Sequence, residues 1–174
     1  MSEPFDAEAI FRVLNQHHVQ YVVIGGYAAL LHGGTKPTVD VDVTPATDTQ
    51  NLTNLTAALV HLQARIRVDG IHGGLPFATD ANALAGMTAL NLVTAYGELD
   101  LSLSPSGTQG YPDLIRAAAP HQVGNLAVQV ASLRDVIRSK TAAGRPKDFD
   151  ALPELITIAN RQRPHDQVQN FRGD

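Results

Sequence analysis

Asp40 and Asp42 stand two residues apart in the run Thr38-Val39-Asp40-Val41-Asp42-Val43-Thr44. In an extended strand, residues i and i+2 share a face and lie about 6.6 Å apart along the chain. Two carboxylates placed that way repel and resist desolvation. Their side chains can tilt together around hard divalent cations, and paired metal sites of this kind space their ions about 3.5–4 Å apart. Oxygen-only ligands favour Mg²⁺. Asp has low strand propensity, so such a pair is a poor structural choice on a short strand. The intervening Val39, Val41 and Val43 are expected to point the other way and anchor the strand in the core.

A third carboxylate lies further on, in Gly97-Glu98-Leu99-Asp100-Leu101. If Leu99 and Leu101 face the core, Asp100 faces away from it. An Asp inside an apolar strand needs a partner, and a cation shared with Asp40 and Asp42 would supply one. Glu98 shares that face but stands at a turn, where solvation is the simpler role. Upstream, Gly25-Gly26 follows the apolar run Tyr21-Val22-Val23-Ile24, with Asp40 fourteen residues after the second glycine. Glycines between a strand and a helix let the backbone approach a phosphate, and the helix start offers free N–H groups. Alone, that pair reads equally well as a plain turn.

These residues need strands beneath them and helices around them. Residues 6–18 show helical spacing of Ala9, Ile10, Val13 and Leu14. Residues 21–24 read as a buried strand and 27–32 as a short helix, broken by Gly33-Gly34 and Pro37. Residues 38–44 alternate as a second strand. Asp48 can cap a helix to about residue 64. Residues 69–74 read as a glycine-containing loop and 80–86 as a short helix. Residues 88–95 and 98–104 read as two strands joined at Gly97, 112–119 as a helix and 126–130 as a short strand. Ser132 can cap a helix to residue 143, ended by Gly144 and Pro146. A last helix begins at Lys147, with Pro153 expected to restart it at a first turn. The order predicts an α+β (mixed α/β) fold, a sheet with flanking helices and a helical C-terminal part. The expected divisions are a core over 1–130, a helical part over 131–163 that completes the site, and a flexible tail over 164–174.

The chain has 174 residues, 44% of them hydrophobic and 17% charged, enough for an ordinary core. It has no Cys, which excludes disulfides, thiolate-ligated zinc and a thiol nucleophile. Aromatics make up 5%, too few to suggest base-by-base stacking of single-stranded RNA. No segment approaches the roughly 20 apolar residues of a membrane span, and the N-terminus is acidic and lacks a signal-type apolar run, so a cytoplasmic location is expected. Net charge is −4, yet Arg134, Arg138, Lys140, Arg145, Lys147, Arg161 and Arg163 crowd the C-terminal quarter. A local basic face can coexist with a negative total. The histidines show no zinc-type spacing, and His17-His18 are adjacent and diverge on a helix. His32, just before Gly33, is the one near the carboxylates. No Gly-x-Ser-x-Gly elbow or P-loop is present.

The ordered set of Gly25-Gly26, Asp40-x-Asp42 and Asp100 resembles the DNA polymerase β-like nucleotidyltransferases. The longer strings Gly25-Gly26-Tyr27-Ala28-Ala29, His32-Gly33 and Thr38-x-Asp40-x-Asp42 resemble the AbiEii-like and MenT-type toxins of toxin–antitoxin systems. So do Ser139-Lys140, Ala143-Gly144-Arg145-Pro146-Lys147-Asp148 and Asp150-Leu152. Residues 65–87 carry no matching motif. The resemblance implies two Mg²⁺ on Asp40 and Asp42, with Asp100 completing the site and helping to deprotonate an acceptor hydroxyl. It implies an NTP held by Gly25, Gly26, Lys140 and Arg145, with Asp148 orienting the triphosphate. The implied reaction adds nucleoside monophosphates to the 3′ end of tRNA, releases pyrophosphate and blocks translation. It also implies an antitoxin partner, a kinase that phosphorylates Thr38. The same chemistry on a small-molecule or protein hydroxyl, and an inactive nucleotide-binding module, are the alternatives. A negative total charge suits a cationic antibiotic acceptor better than tRNA.

Overall fold

The computed structural model describes residues 4–163, so the expected tail over 164–174 lies outside the described residues. Within them, the chain runs α1 (Ala7–Gln16), β1 (Tyr21–Ile24), α2 (Gly25–Leu31), β2 (Asp40–Pro45), α3 (Thr49–His61), β3 (Arg65–Val68) and β4 (Ile71–Leu75). It continues with α4 (Ala81–Ala85), β5 (Ala89–Thr94), β6 (Gly97–Ser102), α5 (Tyr111–Leu114), β7 (Ala119–Val123), β8 (Leu126–Val130), α6 (Leu133–Ala143) and α7 (Pro146–Arg161). All eight strands join one mixed sheet in the order β4-β3-β5-β6-β2-β1-β8-β7.

The caps explain where the helices begin. The carboxylates of Asp6, Asp48 and Asp80 and the hydroxyl of Ser132 each accept a bond from a backbone N–H in the first turn of the helix they precede. Gly144 ends α6 in the left-handed conformation at φ 63°, which a side chain rarely adopts. Strand β1 lies between β2 and β8, and Val22 and Val23 are fully buried, as a continuous β-branched run predicts. In β2 and β6, Val41, Val43, Leu99 and Leu101 are fully buried and join Leu52, Leu55 and Leu59 of α3 and Ile10, Phe11 and Leu14 of α1 in the core. By strand alternation, Asp40, Asp42 and Asp100 stand on the opposite face.

Five expectations are corrected. Residues 69–74 are not a loop; β3 and β4 form an antiparallel hairpin that adds a wing to the sheet beyond β5. Its tip alone, Asp69-Gly70, is a turn. Residues 112–119 are helical only at their start, because α5 closes after Leu114 and β7 then pairs with β8. Of the helix formers Ala117-Ala118-Ala119, the last opens the edge strand β7 and the other two lie in the connection before it. Pro153 lies inside a continuous α7 and does not restart a helix. Its exposed face lets the helix tolerate the lost N–H bond. Helix α2 begins at Gly25, so the two glycines are its first turn instead of a spacer before it. Val39 is 69% exposed, because β2 starts at Asp40 and its neighbours leave no core beneath the preceding residue.

Candidate active site

β2 and β6 run parallel in a register that sets Asp42 beside Asp100 and Asp40 beside Glu98. That register, with the shared parity, brings one oxygen each of Asp40, Asp42 and Asp100 within 4.8 Å of one another. Gly25 adopts φ +67°, and a Cβ there would run into the Asp42 carboxylate. A side chain at position 25 would displace the aspartate, so the glycine makes room for it. A Cβ at Gly26 would meet the Thr38 hydroxyl at 3.3 Å. That hydroxyl donates to Asp40 Oδ1 at 3.0 Å and to the Asp40 carbonyl at 3.2 Å, and so holds the first carboxylate.

Electrostatics mark this cluster as unfinished. Burial, then Asp40, then Asp100 push the Asp42 carboxyl up to about 7, partly offset by Lys147 and Lys140. Burial also raises Asp100, against the pull of Arg67. Asp100 Oδ1 is buried and accepts no hydrogen bond among the described residues. Three carboxylates gathered this closely make an all-oxygen donor set that fits a hard divalent cation, whose charge would relieve the repulsion.

Across the cleft, α6 and α7 supply cations. Lys140 is half-buried, and burial lowers its ammonium from the usual lysine range despite Asp148. Its Nζ lies 3.7 Å from Asp148 Oδ1. The Asp148 side chain is fully buried. It accepts from the Arg145 backbone N–H at 3.1 Å and from Arg145 Nε at 2.7 Å, forming the cap of α7. These bonds hold it below the usual carboxylate range despite burial. The Asp148 carboxylate thus meets Lys140 and Arg145 at the edge of the cleft. Arg145 remains largely exposed, with its Nε committed to Asp148.

Gly25, Gly26, Thr38, Asp40, Asp42, Asp100, Lys140, Arg145 and Asp148 all line one cavity of about 590 Å³. His32 does not line it; its Nε2 donates to the Ala131 carbonyl at 2.7 Å and ties the end of α2 to the strand leaving the sheet. Arg138, expected on a basic outer face, is held by Asp113 and Asp135, both at 3.0 Å. Two residues were missed. Lys147 opens α7 and faces Asp42 and Asp100 closely enough to draw both carboxyls down. Its place in the Arg145-Pro146-Lys147 string was the available signal. Arg67 of β3 pairs with Glu98 and Asp100, both at 3.0 Å. The sequence carried no signal for it, since its neighbours in space come from β6.

The chain overlays the lincosamide antibiotic adenylyltransferase LnuA, solved with lincomycin, at a TM-score of 0.57. Identity is 14%, over 89% of this chain and 99% of that one. It also matches ANT(2″)-Ia, solved with adenylyl-2″-tobramycin, at 0.54 and 14% identity over 87% and 86%. A Thermotoga maritima protein assigned as a nucleotidyltransferase gives 0.51 and 13% identity over 88% and 96%. The fold is that of the nucleotidyltransferases. No family model and no curated protein sequence matches the chain. Among the described residues of this nucleotidyltransferase fold, no helix is long and apolar enough to cross a membrane.

Proposed function

We propose that the chain is a Mg²⁺-dependent nucleotidyltransferase that moves a nucleoside monophosphate from an NTP to the 3′-hydroxyl of tRNA, as the toxin of a toxin–antitoxin pair. The observation that carries the transferase reading is the carboxylate trio facing two lysines across one cleft. Asp40, Asp42 and Asp100 would hold the metal, and the ion would supply Lewis-acid charge to the α-phosphate. Lys140 and Lys147 would meet the β- and γ-phosphates as point charges, with the exposed Arg145 beside them. The α2 N-terminus, opened by Gly25 and Gly26, adds backbone N–H donors. The acceptor oxygen attacks the α-phosphorus, the bond to the β-phosphate oxygen breaks, and pyrophosphate leaves. Asp100 would help to accept the hydroxyl proton. Exposed Lys36, Arg145 and Lys147 at the cleft, together with the matched toxin-like strings, support RNA as the acceptor.

A second acceptor has its own support. The cavity carries six carboxylates against four cations, a balance that favours a cationic hydroxyl compound. Two of the solved structures with this fold hold an antibiotic or its adenylylated product. The experiment supplies total RNA, or a panel of aminoglycosides and lincosamides, with each α-labelled NTP and Mg²⁺. Label in the tRNA band that disappears with Asp42→Asn supports the first reading. Label in a drug supports the second. No transfer to either would overturn both.

A further inference from the structure

The wing formed by β3 sends one side chain back toward the carboxylates. Arg67 extends across β5 to reach β6, two strand spacings away, roughly 9–10 Å. Its Nη1 donates to Glu98 Oε2 at 3.0 Å and to the Leu92 carbonyl at 3.4 Å. Its Nη2 donates to Asp100 Oδ2 at 3.2 Å and lies 3.0 Å from Oδ1. Glu98 and Asp100 are i and i+2 on one face of β6, so one guanidinium bridges both. The three side chains are partly shielded, at 28% exposure for Arg67, 39% for Glu98 and 17% for Asp100.

We propose that Arg67 is a positioning residue that sets how many divalent cations the site takes. The inference rests on the metal reading above and deepens it. The bridge sets both oxygens of Asp100 within 3.2 Å of a fixed positive charge, Oδ2 as a hydrogen bond and Oδ1 as an ion pair. Asp40 and Asp42 carry no such bridge; the nearest cations to Asp42 lie across the cleft, on Lys140 and Lys147. The cluster is therefore asymmetric. A first ion at Asp40 and Asp42 has no guanidinium on its ligands, while a second ion at Asp100 must sit beside one about 3 Å from its ligand. Without nucleotide, the protein binds one divalent cation. Arg is suited to this because its planar fork spans two carboxylates and never loses its charge.

The test titrates Mn²⁺ into nucleotide-free protein and counts bound ions by electron paramagnetic resonance. Wild type is expected to bind one Mn²⁺ per chain. Arg67→Gln is expected to bind two, with the second site tightened about tenfold or more once the opposing charge is removed. Arg67→Lys, which keeps the charge, stays at one. Glu98→Gln, probed in case Arg67→Gln fails to fold, weakens Mn²⁺ binding by leaving the guanidinium less balanced. Identical stoichiometry and affinity in wild type and folded Arg67→Gln overturns the inference and leaves the metal site standing. So does unchanged affinity in Glu98→Gln if Arg67→Gln does not fold. Absence of Mn²⁺ from every protein overturns the metal reading and this inference together.

Discussion

Asp42→Asn replaces a strained carboxylate by a neutral group of the same shape. In the metal-free protein the Asp42 carboxyl is raised from 3.8 to about 7 by burial, by Asp40 and by Asp100, against Lys147 and Lys140. The folded state thus holds this proton more tightly than the unfolded state. Stability is then lost as pH rises from about 4, and the loss is complete above about 7. At about 1.36 kcal/mol for each tenfold in proton affinity, the cost at pH 8 is at most about 4 kcal/mol. Relaxation of the cluster and remaining solvent contact reduce the expected value to about 2–4 kcal/mol. For a chain of this size each kcal/mol moves the melting temperature by about 2–4 °C. In EDTA at pH 8, Asp42→Asn should therefore melt about 5–15 °C above wild type, and at pH 5 the gap should fall by roughly half or more. Mg²⁺ should raise the wild-type melting temperature and leave the variant almost unmoved. Thermal unfolding followed by circular dichroism, over pH and with and without Mg²⁺, measures all of this. A variant no more stable than wild type at pH 8 in EDTA would refute the reasoning.

Asp148→Ala leaves Lys140 and the buried end of Arg145 without their counter-charge. It should cost about 3 kcal/mol in urea unfolding, a larger loss than any variant of the exposed Arg138 gives. Lys140→Ala should raise KM for NTP at least tenfold in steady-state kinetics, whereas Arg138→Ala, already paired with Asp113 and Asp135, should change it less than twofold. A phosphate on Thr38 would add about −1.5 to −2 charge beside Asp40. Co-expression with a kinase partner should therefore give a chain heavier by one phosphate at Thr38 and without transferase activity. Inactivated protein with an unmodified Thr38 on peptide mass spectrometry would point to inhibition by binding.

The carboxylate face was readable because parity alone fixes it. Valines and leucines alternating with Asp40, Asp42 and Asp100 permit one orientation of each strand against an apolar core. Which strand would lie beside which was not readable. Parallel pairing of β2 with β6 joins segments separated by three strands and two helices, and no local residue announces it. Arg67 was missed for that reason: its partners are near only after β5 and β6 have paired. The β3–β4 hairpin was hidden by Gly70, Gly73 and Gly74, which resemble a loop in composition but accommodate positive φ values in and beside a turn. β7 was hidden by the alanines that lead into it, since its pairing with β8 is not announced locally. Asp148 was read as a site residue from the resemblance of the Arg145-Pro146-Lys147-Asp148 string. The string gave no sign that its carboxylate is buried and bonded to Arg145 at the start of α7.

The turn between β5 and β6 carries a further consequence for which changes of chain length the protein survives. Thr94 Oγ donates to the Gly97 carbonyl at 2.7 Å and accepts from Tyr96 N–H, and Gly97 at φ +111° packs against Phe5. This fixes the count of residues from Thr94 to Asp100. Deleting one residue would rotate β6 by half a repeat, presenting Leu99 and Leu101 to the cleft and driving Asp100 against Leu55 and Leu59. Descendants of this sequence can lengthen the Asp69-Gly70 tip by any number of residues, odd or even, without disturbing the trio. Between Thr94 and Asp100 a single-residue length change costs both the core and the chemistry at once, so that short stretch acts as the reading frame of the active site.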